Sequence, residues 1–175
     1  MKFFSEIRLL ILAIWLGAAV FFIGVAQSAF VVIEQRELAG AVVNRNLAIL
    51  NYGGMVIAIL LIVMSLVGSG RLSKFWLWVE RFLLLIIGAA CAIGQFVIGF
   101  WLSSIRTQIG RPIDEIAADD PLRIQFNMLH QYSEWTLLVA MAAALIAFFI
   151  IANRKFDKLT NAGGDVYDFS KEFKV

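Results

Sequence analysis

The segment FNMLHQYSEW, residues 126–135, concentrates polar side chains that can bind a ligand or exchange a proton. It carries Asn127, His130, Gln131 and Glu134, and a long apolar stretch follows it. Residues three and four apart lie on one face of a helix, so Asn127, His130 and Glu134 are predicted to share a face. Imidazole, carboxylate and amide groups on one face favour a ligand site, or a hydrogen-bonded cluster that fixes the register of neighbouring helices.

The sequence offers no residue set for catalytic or metal chemistry. No nucleophile can be combined with a base and an orienting group, so we expect the protein not to be an enzyme. His130 is the single histidine and Cys91 the single cysteine, which leaves no zinc-type cluster, and no metal site is predicted. Ligation of a tetrapyrrole, haem or chlorophyll, needs only one histidine and stays open for His130.

The composition is that of a membrane protein. Of the 175 residues, 61% are hydrophobic and 16% are charged, whereas soluble domains carry about 25% charged residues. The formal net charge of +2 is too small to indicate a nucleic-acid partner. Membrane lipids are therefore the first partners predicted.

Four apolar segments are long enough to span a bilayer as helices, which takes about 20 residues each. They cover about residues 9–33, 50–68, 74–103 and 127–152. The first is longer than the apolar region of a signal peptide, so we expect it to remain as a membrane helix. The sequence predicts an all-α integral membrane four-helix bundle over residues 1–153, followed by a polar tail over residues 154–175.

Basic residues predict how the bundle is oriented. With four spans, the two termini and the loop between the second and third spans share one side, which holds ten of the 15 lysines and arginines. Basic residues accumulate on the cytoplasmic side of short loops. Both termini and the tail are therefore predicted to be cytoplasmic, in a multi-pass protein of the inner (plasma) membrane.

In this orientation, the polar residues of the spans gather near the outer ends of all four helices. The predicted cluster consists of Gln27, Asn51, Gln95, Arg106, Asn127, His130, Gln131 and Glu134. A carboxylate is costly in a membrane helix and normally faces the bundle beside a partner. We therefore expect Glu134 to point inward, with His130 or Arg106 as its partner.

Several stretches together resemble a known family: WLGAAVFFIGVAQSAF, LAGAVV in the first loop, RPIDEIAADDPLR and FNMLHQYS. They are similar to the bacterial membrane proteins grouped as domain of unknown function 4149, which resemble transmembrane protein 205 of animals. The positions that carry the resemblance are Trp15, Gly17, Gly40, Phe126, His130 and Ser133. The resemblance covers about residues 8–153 and implies a four-helix integral membrane protein with no established reaction.

Three functions remain open. The first is a non-catalytic accessory subunit of a larger, energy-transducing (respiratory or photosynthetic) membrane complex, which would dock through helix faces and the tail. Small-residue pairs such as Ala13/Gly17 and Gly24/Ser28 favour such helix contacts with other membrane-protein subunits. The second is a small transporter or a protein that binds an ion or ligand at the outward-facing polar cluster. The third is a tetrapyrrole-binding protein, with a lipid or tetrapyrrole near His130.

Overall fold

The computed structural model describes residues 2–67 and 74–153, and these residues form helices and short connections without a strand. Four helices are long and apolar enough to cross a membrane. We call them the first helix (Lys2–Val32), the second (Arg36–Val67), the third (Lys74–Ile109) and the fourth (Pro121–Ala152). The predicted all-α, four-helix membrane architecture is confirmed.

The helices extend beyond the predicted apolar segments. The second helix begins at Arg36 rather than near residue 50, so the stretch LAGAVV is helical and not a loop. Alanine and leucine, which favour helices, are frequent in residues 36–49, and proline is absent. This stretch therefore joins the second helix, although it contains polar residues. The fourth helix begins at Pro121 because the Asp120 side chain accepts a hydrogen bond from the backbone N–H of Leu122 at 2.8 Å and caps it.

A π-helical turn interrupts the third helix. The chain is α-helical over Lys74–Ala92, π-helical over Ile93–Ile98 and α-helical again over Gly99–Ile109. The backbone N–H of Gly99 donates to the carbonyl of Gly94, five residues earlier, which widens the turn. Such turns are frequent at functional sites because they redirect side chains within an otherwise regular helix.

The helices pack as a ring in which each one contacts its neighbours in the chain and the fourth contacts the first. Small residues of the fourth helix line its buried face and let the neighbouring backbones approach closely. These residues are Ala140, Ala143, Ala144 and Ala147. The core between the helices is filled by side chains such as Leu12, Leu61, Leu84 and Ile87.

The ring has two different ends. The termini end holds the start of the first helix and the end of the fourth, and the loop end holds the connections at residues 33–35 and 110–120. The cytoplasmic location of the termini stays a prediction from the basic residues. The connection 68–73 and the predicted tail 154–175 lie outside the described residues.

Candidate functional site

A groove of about 770 Å³ opens at the loop end, between the second, third and fourth helices. Five of the predicted cluster residues line it, namely Asn51, Gln95, Arg106, Asn127 and His130. Four of the positions that carry the family resemblance line it, namely His130 together with Gly40, Phe126 and Ser133. The structure therefore brings most of the polar residues of the three helices to one place.

Asn51 forms the floor of the groove. The residue is only 5% exposed, yet it lines the groove, and its side chain makes no hydrogen bond with any residue that the structure describes. The side-chain nitrogen lies 3.3 Å from the place that a Cβ on Gly94 would occupy. Glycine at position 94, in the π-helical turn, lets the third helix approach the Asn51 amide this closely. Gln95 also lines the groove, so the floor has two amides.

A stack of three planar groups forms one wall. The guanidinium carbon of Arg106 lies 5.3 Å from the centre of the Phe126 ring, which is a cation–π contact. Phe126 and His130 stack with 6.3 Å between ring centres and 5° between their planes. On the other side, a Cβ on Gly40 would lie 3.3 Å from a guanidinium nitrogen of Arg106. Gly40 therefore leaves the space that this arginine occupies.

The structure places Glu134 differently from the prediction. Its side chain is 65% exposed and does not line the groove, although its Oε1 lies 3.4 Å from Nε2 of His130. Glu134 lies one helical turn below His130, past the residues of this helix side that line the groove. The exposed aromatics Tyr132 and Trp135 flank Glu134. Such aromatics mark the membrane interface, where a carboxylate can reach water.

Two further cluster residues, Gln27 and Gln131, lie away from the groove. Both are exposed, on the first and fourth helices respectively, and neither lines the groove. Of the positions that carry the resemblance, Trp15 lies in the core, where its indole N–H donates to the Leu50 carbonyl at 3.1 Å. Gly17 lies on the outer face of the first helix, where a Cβ would meet nothing within 4 Å.

The mouth of the groove is charged, whereas its floor is neutral. Arg36 pairs with Asp114 at 3.1 Å across the mouth, and Glu37 and Arg106 lie beside them. The sequence analysis did not assign Arg36, Glu37 or Asp114 to the site. The early start of the second helix carries the first two there, and no sequence signal marked this start. Ligation of a tetrapyrrole by His130 stays a prediction.

A second polar cluster, which the sequence analysis did not single out, lies near the termini end. Arg8 of the first helix and Glu80 of the third form an ion pair, with 4% and 0% of each residue exposed. Beside it, Arg81 donates to the hydroxyl and the carbonyl of Ser65 at 3.1 and 3.0 Å. The available sequence signal was a charged residue just before the first predicted span, Arg8, and one within the third, Glu80.

A family model described as "Domain of unknown function (DUF4149)" matches residues 10–111. The chain belongs to this family. The DUF4149 match covers most of the first helix and all of the second and third, and therefore Asn51, Gly94, Gln95 and Arg106. It ends before the fourth helix, so Phe126, His130 and Ser133 lie outside it. Searches of curated proteins and of solved structures found no match to the chain.

Proposed function

We propose that this DUF4149 protein is a non-catalytic, ligand-binding integral membrane protein whose site is the groove at the loop end. The observation that carries the proposal is Asn51, a residue only 5% exposed whose amide lines the groove without a hydrogen-bond partner among the described residues. The Asn51 amide is open to the groove, so a bound ligand can supply the hydrogen bonds that no described residue makes.

The surroundings of Asn51 favour binding over passage of a solute. Beyond it, towards the termini end, Trp15 and the buried leucines Leu61 and Leu84 fill the interior of the bundle. The groove is thus closed at its floor and open at its mouth. Its size is within the range of pockets for small organic ligands, about 300–1,000 Å³.

Retention of a small molecule by the purified protein tests this proposal. We expect native mass spectrometry of the wild type, released from lipid nanodiscs, to show a bound compound that Asn51→Leu retains about tenfold less, because leucine removes the hydrogen bonds at similar volume. Asn46→Ala is the matched control, since Asn46 is on the same helix, is exposed and bonds only the Val42 carbonyl. Equal retention by all three proteins would contradict the assignment.

A second candidate function is supported by the outer face of the first helix. Ala13, Gly17, Gly24 and Ser28 form an exposed stripe there, and a Cβ on either glycine would meet nothing within 4 Å. Such stripes let another membrane helix approach closely. This supports the proposal of an accessory subunit in a larger, energy-transducing membrane complex, to which the tail would add a contact.

Loss of partners on filling the stripe tests the second candidate. We expect the double variant Gly17→Ile/Gly24→Ile to lose proteins that co-purify with the wild type in mild detergent, because branched side chains hold the helices apart. Gly53→Ile is the control, since Gly53 of the second helix also has open space beside it. The same co-purifying proteins in all three preparations would refute a docking role for this stripe.

A further inference from the structure

The groove opens sideways, between the second and third helices. The second helix packs against Lys74–Ala92 and the π-helical turn but separates from Gly99–Ile109. Phe96 and Phe100 line the groove and are nevertheless 59% and 68% exposed, so they lie where the groove meets the lipid-facing surface. Phe96 contacts Tyr52 of the second helix edge to face, with ring centres 6.0 Å apart, beside the Asn51 floor.

The floor lies at the inner edge of the membrane interface. Trp101 is exposed on the third helix and marks the interface at the loop end. Gln95 is about 1.7 helical turns nearer the middle of the bundle, about 9 Å below Trp101. Asn51 faces Gly94 at the same level. A ligand bound to these two amides therefore has its polar group at the inner edge of the interface, level with Thr136 beside Trp135 on the fourth helix.

The neutral floor disfavours an anion as the group bound there. The residues that line the floor, Asn51, Gly94, Gln95 and Ser133, are neutral, and the charged residues of the lining lie at the mouth. Arg36 is already paired with Asp114 there. Burying a free anion among neutral groups is costly, whereas an uncharged carbonyl accepts the amide N–H bonds at little cost.

From this geometry we infer that the groove takes a lipid-soluble molecule with an uncharged carbonyl head and an apolar chain. The carbonyl accepts hydrogen bonds from Asn51 and Gln95, and the chain leaves between the second and third helices past Phe100. This inference rests on the proposed function and narrows it to a ligand that arrives from the membrane. Isoprenoid quinones and neutral glycerolipid esters share this chemistry.

Photocrosslinking in intact membranes tests the inference. The photoreactive residue p-benzoylphenylalanine replaces Phe100 at the opening or, as a control, Phe21, which is 74% exposed on the first helix. We expect position 100 to form an adduct of defined mass, reduced about tenfold in Asn51→Leu, since one lost hydrogen bond corresponds to about that factor. Position 21 should capture bulk phospholipid equally in both backgrounds.

The same membranes test separately whether the groove binds a ligand and whether that ligand comes from the lipid. Added decylubiquinone or dioleoylglycerol should compete with the adduct at position 100, and whichever one does so identifies the class. One outcome would overturn the lipid-borne ligand but keep the proposed function. In it, the adducts at position 100 are equally abundant in the wild type and in Asn51→Leu, and a compound that depends on Asn51 is found in the aqueous phase of an extract. The absence of any Asn51-dependent compound, in adducts and in both phases, would overturn both.

Discussion

Replacing Glu80 with leucine is expected to destabilise the protein by about 3–5 kcal/mol, because the Arg8 cation then stays buried without its counter-charge. The two residues hold the first and third helices together near the termini end, and Glu80 is fully buried. Arg8→Leu is expected to destabilise the protein equally, because the Glu80 carboxylate then stays buried without the Arg8 cation. The measurement is the thermal unfolding midpoint in detergent, together with the amount of protein in the membrane.

The double variant Arg8→Leu/Glu80→Leu separates the charge from the packing. Apolar side chains of similar size can replace a buried ion pair at little cost, so the double variant should recover most of the midpoint. Asp114→Asn is the control, because the Arg36–Asp114 pair is exposed and should contribute less than about 1 kcal/mol. A double variant as unstable as the single ones would show that the pair stabilises through something other than charge compensation.

Gly54→Ala is expected to have the second large effect. A Cβ at this position would lie 2.5 Å from Sγ of Cys91 and 3.0 Å from the indole nitrogen of Trp15. Both neighbours are buried, and the indole is held by its hydrogen bond to the Leu50 carbonyl. Overpacking of this kind costs about 1–3 kcal/mol. The thermal unfolding midpoint should fall accordingly.

The adjacent glycine supplies the control for Gly54. Gly53 has open space where a Cβ would be placed, so Gly53→Ala should leave the midpoint unchanged or raise it slightly. Adding Cys91→Ala to Gly54→Ala should recover part of the loss, because it removes the nearer of the two contacts. Equal midpoints for Gly53→Ala and Gly54→Ala would refute the close packing of the first, second and third helices around Gly54.

Much of the site could be predicted from the sequence because the helices are antiparallel. Asn51 begins an apolar segment, Gln95 lies near the end of the next one, and His130 precedes the last, so their membrane depth follows from position in the chain. Depth together with four spans is enough to bring them to one end of the bundle. It does not determine which way each helix is rotated about its axis.

The prediction that Glu134 points inward is wrong, whereas its predicted neighbour His130 does lie beside it. Glu134 shares a side of the fourth helix with Asn127 and His130, but it lies one turn below His130, past the residues that line the groove. The π-helical turn that places Gly94 against Asn51 has no signal in the sequence. The Arg8–Glu80 pair depends on contact between the first and third helices, which the order of segments along the chain does not reveal.

The central claim is that the groove above Asn51 is a ligand site, and electron cryomicroscopy in lipid nanodiscs with a bound antibody fragment tests it most directly. Our account predicts density separate from the protein within about 3 Å of the Asn51 side-chain amide, the distance of a hydrogen bond. That density should be absent from the Asn51→Leu variant. A wild-type map in which a protein group bonds the Asn51 amide, or in which side chains fill the groove, would contradict the claim.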